Sequence, residues 1–371
     1  MKMIRNLVFP TVAFALSALL AACGGGGGST NGTAAAQNAP TTQPASGTPS
    51  TTSSGALSTQ TGIANSYPAG TFEAAALDIL NGYRAQMGVG ELRPDVMLNQ
   101  SAQAHAAYLS SNLAASAISG LSHDEVATNA NFYAETPLTR ARKAGSPVTE
   151  WIGEAINAGS IQTSSLAYGH DCVDGLLDTV YHLNTMTGPQ ESIGIGFLPA
   201  SAQEALYVCN FDFGLLTAAI GAPLDNAIPT VGGQQMAVTT IAHAPLTNET
   251  TVARTMRTEA PNPTPDFAAP GHPLMVRVRA DQAGDTLTVT SFTLTDQSGA
   301  VVTGRILIPA NAQSGSIASA VIDPNGLLGQ GTAFFIPAQP LAANTTYSAT
   351  FSGSRDGVPV STSWSFTTAA L

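Results

Sequence analysis

The chain has 371 residues, which allows two domains with linkers. Charged residues make up 10%, against roughly a quarter in an average protein, and Ser, Thr, Asn, Gln and Gly supply most of the polarity. The net charge of −11, with no basic stripe, argues against a nucleic-acid partner, because phosphate neutralisation needs clustered Lys and Arg.

Lys2 and Arg5 precede an apolar run, Leu7–Ala22, and then Cys23. That is the order of a signal peptide, residues 1–22, and the run is shorter than the ~20 residues of a spanning helix. L-A-A-C at Leu20–Cys23 resembles a bacterial lipobox, which implies export, cleavage before Cys23 and acylation of that cysteine. Two or more acyl chains would anchor it to a membrane. Gly24 stands where an inner-membrane retention signal would place Asp, so by analogy the outer membrane is expected, with the protein facing the periplasm or the surface. Once Cys23 carries lipid, Cys172 and Cys209 remain, an even number in an oxidising compartment. A disulfide between them is expected; two free thiols, or a catalytic Cys172 beside His170, are the alternatives, and no third orienting group for such a cysteine is evident.

Residues 23–66 are the lipidated cysteine and a low-complexity Gly/Ser/Thr tether without a charged residue, expected to be disordered. Its ends would lie ~35 Å apart. Helical periodicity begins at Phe72 and runs through Leu80 and Met87, with Gly88 as a stop. Asp95 reads as the cap of a second helix with Leu98, Ala102, His105 and Leu109 on one face. His105 there reads as a satisfied, buried histidine. Thr136-Pro137 opens a short third helix that ends at Ala144. Trp151–Asn157 reads as a turn, and Asp171 as the cap of a helix running to about Leu183. Ser192–Leu198 and Leu206–Phe213 read as paired strands.

From Met236 onward the pattern is all β. Strand-like segments lie at Met236–Ile241, Leu274–Ala280, Asp285–Thr295, Ala300–Ile308, Thr332–Ile336, Thr346–Gly353 and Ser361–Thr367. The organisation expected is residues 67–214 as one α+β domain, 215–235 as a connection and 236–371 as a β-sandwich, with Trp364 and Phe366 facing its core.

Five motifs occur in order: L-N-G-Y-R-A at Leu80–Ala85, L-S-H-D at Leu121–Asp124, G-E-A-I-N at Gly153–Asn157, an Asp-to-His helix, and I-G-I-G-F at Ile193–Phe197. Together they resemble the CAP superfamily, the cysteine-rich secretory, antigen 5 and pathogenesis-related-1 proteins, in its bacterial, SCP-like branch. The resemblance implies a three-layer α-β-α sandwich with a cleft holding two histidines and two acids. It assigns His123 and Glu154, then His182, and Asp174 two helical turns before that histidine. Leu176 replaces a tryptophan of the family pattern and T-V-Y-H replaces S-P-G-H, so Asp178 is an alternative second acid. If one helix carried all three residues, Asp174, Asp178 and His182 would share a face. Glu135, Glu150, His170 and Glu191 have no such support and read as surface.

Two histidines with carboxylates are also a donor set for Zn or another divalent metal, here His123 and His182. H-E-x-x-H, G-x-S-x-G and a phosphate-cradling glycine loop do not occur, so no conventional hydrolase machinery is evident. Further on, L-x-x-N-T-T-Y at Leu341–Tyr347 and W-S-F-T-T at Trp364–Thr368 resemble the last strands of bacterial Ig-like domains. The leading expectation is an envelope-anchored lipoprotein that binds a metal, a small lipid-like or peptide ligand, or both, in the His/acid cleft. A metal-dependent hydrolase or protease is one alternative. A structural or adhesive protein with a vestigial cleft is the other.

Overall fold

A computed structural model describes residues 57–201, 206–217, 228–229 and 231–370. The leader, Cys23 and the tether as far as residue 56 lie outside these residues, as does most of the 215–235 connection. The chain is tied to the fold from strand β1 (Leu57–Ser58) onward, where Gln60 N–H donates to Gln234 Oε1 (2.8 Å) and Ile63 N–H to Glu91 Oε2 (2.6 Å).

Local chemistry sets the first helices. Thr71 caps α1 (Phe72–Met87), and Gly88 ends it at φ 74°, a left-handed conformation that glycine adopts without strain. After β2 (Arg93–Pro94), the Asp95 carboxylate accepts from the Met97 and Leu98 amides to start α2 (Val96–Ala114). A capping box between Thr136 and Thr139, with Pro137 at the first helical position, starts α3 (Pro137–Ala144).

The next segments depart from the sequence reading. Trp151–Gly159 is a nine-residue strand, β3, where a turn was expected. It is followed by α4 (Ser165–Leu177), capped by Ser164 rather than Asp171, and by a separate helix α5 (Val180–Met186). The break falls at Asp178–Thr179: Thr179 is extended (φ −125°, ψ 165°) and its hydroxyl donates back to the Leu176 carbonyl. Asp174 and His182 therefore lie on different helices, and the shared face that one continuous helix would give them is lost.

Strands β4 (Ser192–Leu198) and β5 (Tyr207–Leu215) complete a sheet in the order β2-β4-β5-β3, antiparallel except for β2 with β4. Side chains alternate across it. Trp151 and Ala155 of β3 and Tyr207, Cys209, Phe211 and Phe213 of β5 pack with residues of α1, α4 and α5. Ile152 and Ile156 of β3 turn the other way, towards α2 and α3. The glycines of I-G-I-G-F bring α2 down onto the sheet. A Cβ on Gly194 would lie 2.0 Å from the Leu98 carbonyl carbon, and one on Gly196 2.3 Å from that of Ala102. Beyond the short β2 the edge of β4 is open, and α2 satisfies it: Asn99 Oδ1 accepts from Ile195 N–H and Gln103 Oε1 from Phe197 N–H. Cys172 on α4 and Cys209 on β5 form a disulfide.

The rest of the chain is mostly β. Strand β6 (Gln234–Gln235) pairs with β1. Then come β7 (Ile241–Ala244), β8 (Glu249–Val252), β9 (Leu274–Val278), β10 (Leu287–Asp296), β11 (Gly304–Ile308), β12 (Ala320–Ile322), β13 (Thr332–Pro337), β14 (Thr346–Arg355) and β15 (Val358–Thr368). They form a four-stranded sheet, β10-β14-β15-β8, and a five-stranded sheet, β12-β11-β13-β9-β7. Between them lies a core that includes Phe292, Phe335, Phe351, Trp364 and Phe366. Most of Met236–Ile241, expected as a strand, is irregular.

The five-stranded sheet is covered on both faces, which explains the unbroken apolar run T-A-F-F-I-P. On β13, Ala333 and Phe335 face the four-stranded sheet, while Phe334 and Ile336 join the core that holds α1, α4 and α5. Polar links reinforce that seam. Glu259 caps α5 from outside, accepting from the Val180 amide (2.7 Å) and the Tyr181 amide (3.0 Å). Tyr181 Oη donates to Asp323 Oδ1 (2.5 Å), and Arg257 Nη2 to Asp171 Oδ1 (2.9 Å).

Candidate functional site

The polar centre of the molecule lies on the α2/α3 face of the sheet and is built around Glu154. On β3, Glu154 shares the face of Ile152 and Ile156, and its side chain is 1% exposed. Its Oε1 accepts from His123 Nδ1 at 2.8 Å and stands 3.7 Å from His105 Nε2. Its Oε2 accepts from Arg140 Nη2 at 2.6 Å and from Asn210 Nδ2 at 3.0 Å. Burial alone would raise the carboxyl pKa. His105, Arg140 and His123 outweigh it and hold Glu154 well below the usual carboxylate range.

A second layer fixes these partners. His105, in the middle of α2, has Glu125 Oε1 on one ring nitrogen and the Ser122 carbonyl on the other, both at 2.9 Å. Arg140, in the first turn of α3, also donates to the His123 carbonyl (3.0 Å), so the loop bearing His123 is clamped at its backbone and at its ring. Glu125 Oε2 accepts from Tyr133 N–H, and Tyr108 Oη accepts from Val126 N–H, which makes the loop a fixed platform. The side chains of His105, Glu125, Arg140 and Glu154 are at most 1% exposed, whereas that of His123 is 50% exposed. Solvent reaches the cluster through His123. Burial pulls the His123 pKa down, but the hydrogen bond and charge of Glu154 outweigh it and the net shift is upward. The stability this pair contributes is full below the ordinary imidazole value and is lost as pH rises through the raised one.

Opposite Glu154 in the β3–β5 register stands Asp212, fully buried. Its burial, and next the Glu154 charge, push its pKa well above the carboxylate range. Two carboxyls on adjacent strands thus divide their roles: Glu154 carries the charge and Asp212 keeps its proton. Because the folded state holds that proton to higher pH than the unfolded chain, Asp212 lowers stability progressively as pH rises above its ordinary value. Asp212→Asn is expected to flatten this decline between about pH 4 and pH 8 while leaving the fold intact. Urea midpoints across that range check it, and an unchanged slope would contradict it. Glu150, read as surface, is 5% exposed, and burial raises its pKa to about 7, which adds to the same decline. Glu191 is buried as well, while Glu135 and His170 are exposed.

The residues assigned to one cleft fall into two places. His123 and Glu154 meet directly. Asp174 and His182 belong to α4 and α5, on the opposite side of the sheet. There His170 Nδ1 donates to Asp174 (3.0 Å), with both side chains about half exposed. His182 Nδ1 lies 2.9 Å from Thr179 Oγ1 and 3.3 Å from Glu259 Oε2. Asp178 faces His272 at 3.3 Å and Arg257 at 3.9 Å.

As a metal donor set these residues do not fit. His123 and His182 are separated by the sheet, and the Glu154 oxygens are engaged by Arg140, Asn210 and His123. Among the described residues no group of three or more His, Cys, Asp or Glu is arranged to hold a metal ion.

Sequence reasoning noted the burial of His105 but gave it no role, and did not single out Glu125, Arg140, Asn210 or Asp212. One signal was present: Asn210 and Asp212 alternate with Cys209, Phe211 and Phe213 in an otherwise apolar strand. Polar groups at every second position of a buried strand require partners.

Residues 77–211 match the CAP family model, the cysteine-rich secretory protein family. The match supports the CAP superfamily for this segment, which contains the Glu154 cluster apart from Asp212, and it ends before the β-rich region. The chain has no match among curated proteins. Among the described residues, no helix is long and apolar enough to cross a membrane.

Proposed function

We propose that this chain is a bacterial envelope lipoprotein, anchored through acylated Cys23 to the outer membrane. Its CAP domain binds a small lipid-like or peptide ligand at His123. In this reading the helices and sheet form the family's three-layer sandwich, and the β-rich region is an Ig-like module that supports it. The observation that carries the ligand reading is the state of His123. Its Nδ1 is locked onto a buried, ionised Glu154, its ring is half exposed, and its loop carries exposed Leu121, Val126 and Phe132 (40%, 54% and 38%). A polar or anionic head would meet the outer edge of the imidazole, and an apolar tail those three side chains.

The test is titration of the full chain with a fluorescent fatty acid and with a fluorescent apolar tripeptide, wild type beside His123→Ala. Saturable binding of either probe, weakened about tenfold or more in the variant, is expected. Affinity for the fatty acid should also fall as pH rises through the raised His123 pKa. Absence of saturable binding of both probes, or equal binding by the variant, removes this reading.

One observation favours a structural reading as the second. Glu154 has His123, Arg140 and Asn210 as hydrogen-bond partners and His105 close by, as expected of a polar core that serves the fold alone. That reading gives no binding in either protein but a large loss of stability when Glu154 is altered. The metal-dependent hydrolase reading needs a metal donor set, and among the described residues none converges as one.

A further inference from the structure

The seam between the helical layer and the five-stranded sheet contains a second concentration of charge, of opposite sign to the protein as a whole. Arg84 on α1 is fully buried, yet among the described residues it meets no carboxylate. Its guanidinium donates to the carbonyls of Gly90 (2.7 Å), Met186 (2.7 Å) and Gly188 (3.0 Å). Arg277 on β9, 9% exposed, is in the same condition. Its hydrogen bonds all leave from Nη2, to Asn184 O (2.7 Å), Asn184 Oδ1 (2.9 Å) and Thr187 Oγ1 (3.5 Å), and its buried Nε finds no partner. The Met186–Gly188 segment, at the C-terminal end of α5, meets both guanidiniums, Met186 and Gly188 that of Arg84 and Thr187 that of Arg277. Burial, and for Arg84 also the charge of Arg277, lowers their pKa values to about 9 and about 10. Both therefore remain charged at neutral pH.

Isolated buried charges are costly, and folds pair them or supply a counter-ion. Arg277 lines a small cavity that opens to solvent, and Asn184, Thr187, Gln234 and Gln330 line it too. Ile228, Pro229 and Met236 add apolar wall. The side-chain amides of the wall are tied into the fold: Gln234 Nε2 donates to the Gln190 carbonyl, and Gln330 Nε2 to the Gln282 carbonyl. They shape the cavity, and Arg277 supplies its charge.

We propose that this seam cavity is a binding site for a small oxyanion, a carboxylate or phosphate group, held by Arg277 with Arg84 reinforcing the local positive potential. The site is separate from the His123 platform and does not depend on it. The net charge of −11 repels anions from the surface at large, so saturable anion binding has to come from such a local field.

The experiment titrates the full chain with inorganic phosphate and, separately, with acetate at constant ionic strength. Calorimetry and Tm are followed for wild type and Arg277→Gln. Saturable binding of at least one anion, with a matching rise in Tm, is expected for wild type. A loss of tenfold or more in affinity is expected for the variant. Acetate alone binding marks a carboxylate site, phosphate alone a phosphate site, and both a general oxyanion site. Because replacing a buried arginine can loosen the seam by itself, amide NMR shifts of the unaltered protein are a second readout. Saturating shifts should centre on Asn184, Thr187 and Gln330. No saturable binding of either anion by wild type, affinity unchanged in a folded Arg277→Gln, or shifts centred elsewhere would overturn the proposal.

Discussion

Glu154→Gln should lower the stability of the chain by about 3–5 kcal/mol, the cost of leaving a buried cation without its partner. The substitution keeps the size of the side chain and removes only its charge. Arg140, fully buried, would keep Glu125 as its nearest carboxylate, with its Nε at 3.8 Å, well beyond the 2.6 Å contact it loses. His105 and His123 would lose the same anion, and Asp212 the negative neighbour that helps keep it protonated. Urea unfolding at pH 7 measures the loss. A change below about 1 kcal/mol would mean that Glu154 is not the charge around which this face is assembled. The variant should also lose the share of the Asp212 pH dependence that comes from the Glu154 charge, while the larger share that comes from burial stays.

The second large effect belongs to the disulfide. Cys172 and Cys209 are 37 residues apart and both fully buried, and their link pins α4 to β5. Closing a loop of that length is worth about 3–4 kcal/mol in the chain-entropy account. A Cys172→Ala/Cys209→Ala protein should therefore lose about that much, and wild type under reducing conditions should lose a similar amount. Urea midpoints with and without reductant make the comparison. A double variant as stable as wild type would show that packing of Val173, Leu176 and Phe211 already fixes α4 without the link.

Both effects connect to what the sequence could and could not disclose. Helix starts were legible wherever a short side chain caps its own helix, as Asp95 and Thr136 do, because the chemistry is complete within a few residues. The β4–β5 pairing, the disulfide and the inward-facing Trp364 and Phe366 were legible for similar reasons of alternation and cysteine count. What escaped depends on distant partners. β3 contains Gly153 and Ala155 in place of strong strand formers, and its strand character comes from pairing with β5, whose partners stand far along the chain, from Gly159–Tyr207 to Trp151–Leu215. The break between α4 and α5 is stabilised by Glu259, which arrives from the β-rich region to cap Val180 and Tyr181. Reading one continuous helix there placed Asp174, Asp178 and His182 on a common face. The fold instead puts His182 at the seam with Glu259, and the sheet stands between it and His123.

The candidate site shows the same division. The sequence marked His123 and Glu154 through short motifs, and their contact in the fold is direct. Of their supporting groups, Glu125 shares the His123 loop, while the others come from three other elements: His105 from α2, Arg140 from α3 and Asp212 from β5. No local pattern ties an arginine in L-T-R-A-R-K-A to a glutamate fourteen residues later. The buried charge on Glu154 requires it, and the fold supplies it.

The central claim is that His123 and Glu154 form one electrostatic unit from which His182 is separate. It is tested most directly by following the histidine ring signals by NMR as pH is raised, in wild type and Glu154→Gln. The account predicts that His123 titrates above the ordinary imidazole value in wild type and drops in the variant, while the ring signals of His182 are left unmoved by the substitution. If His182 responds to Glu154→Gln, or His123 does not, the two histidines are not divided by the sheet in the way described and the site must be redrawn.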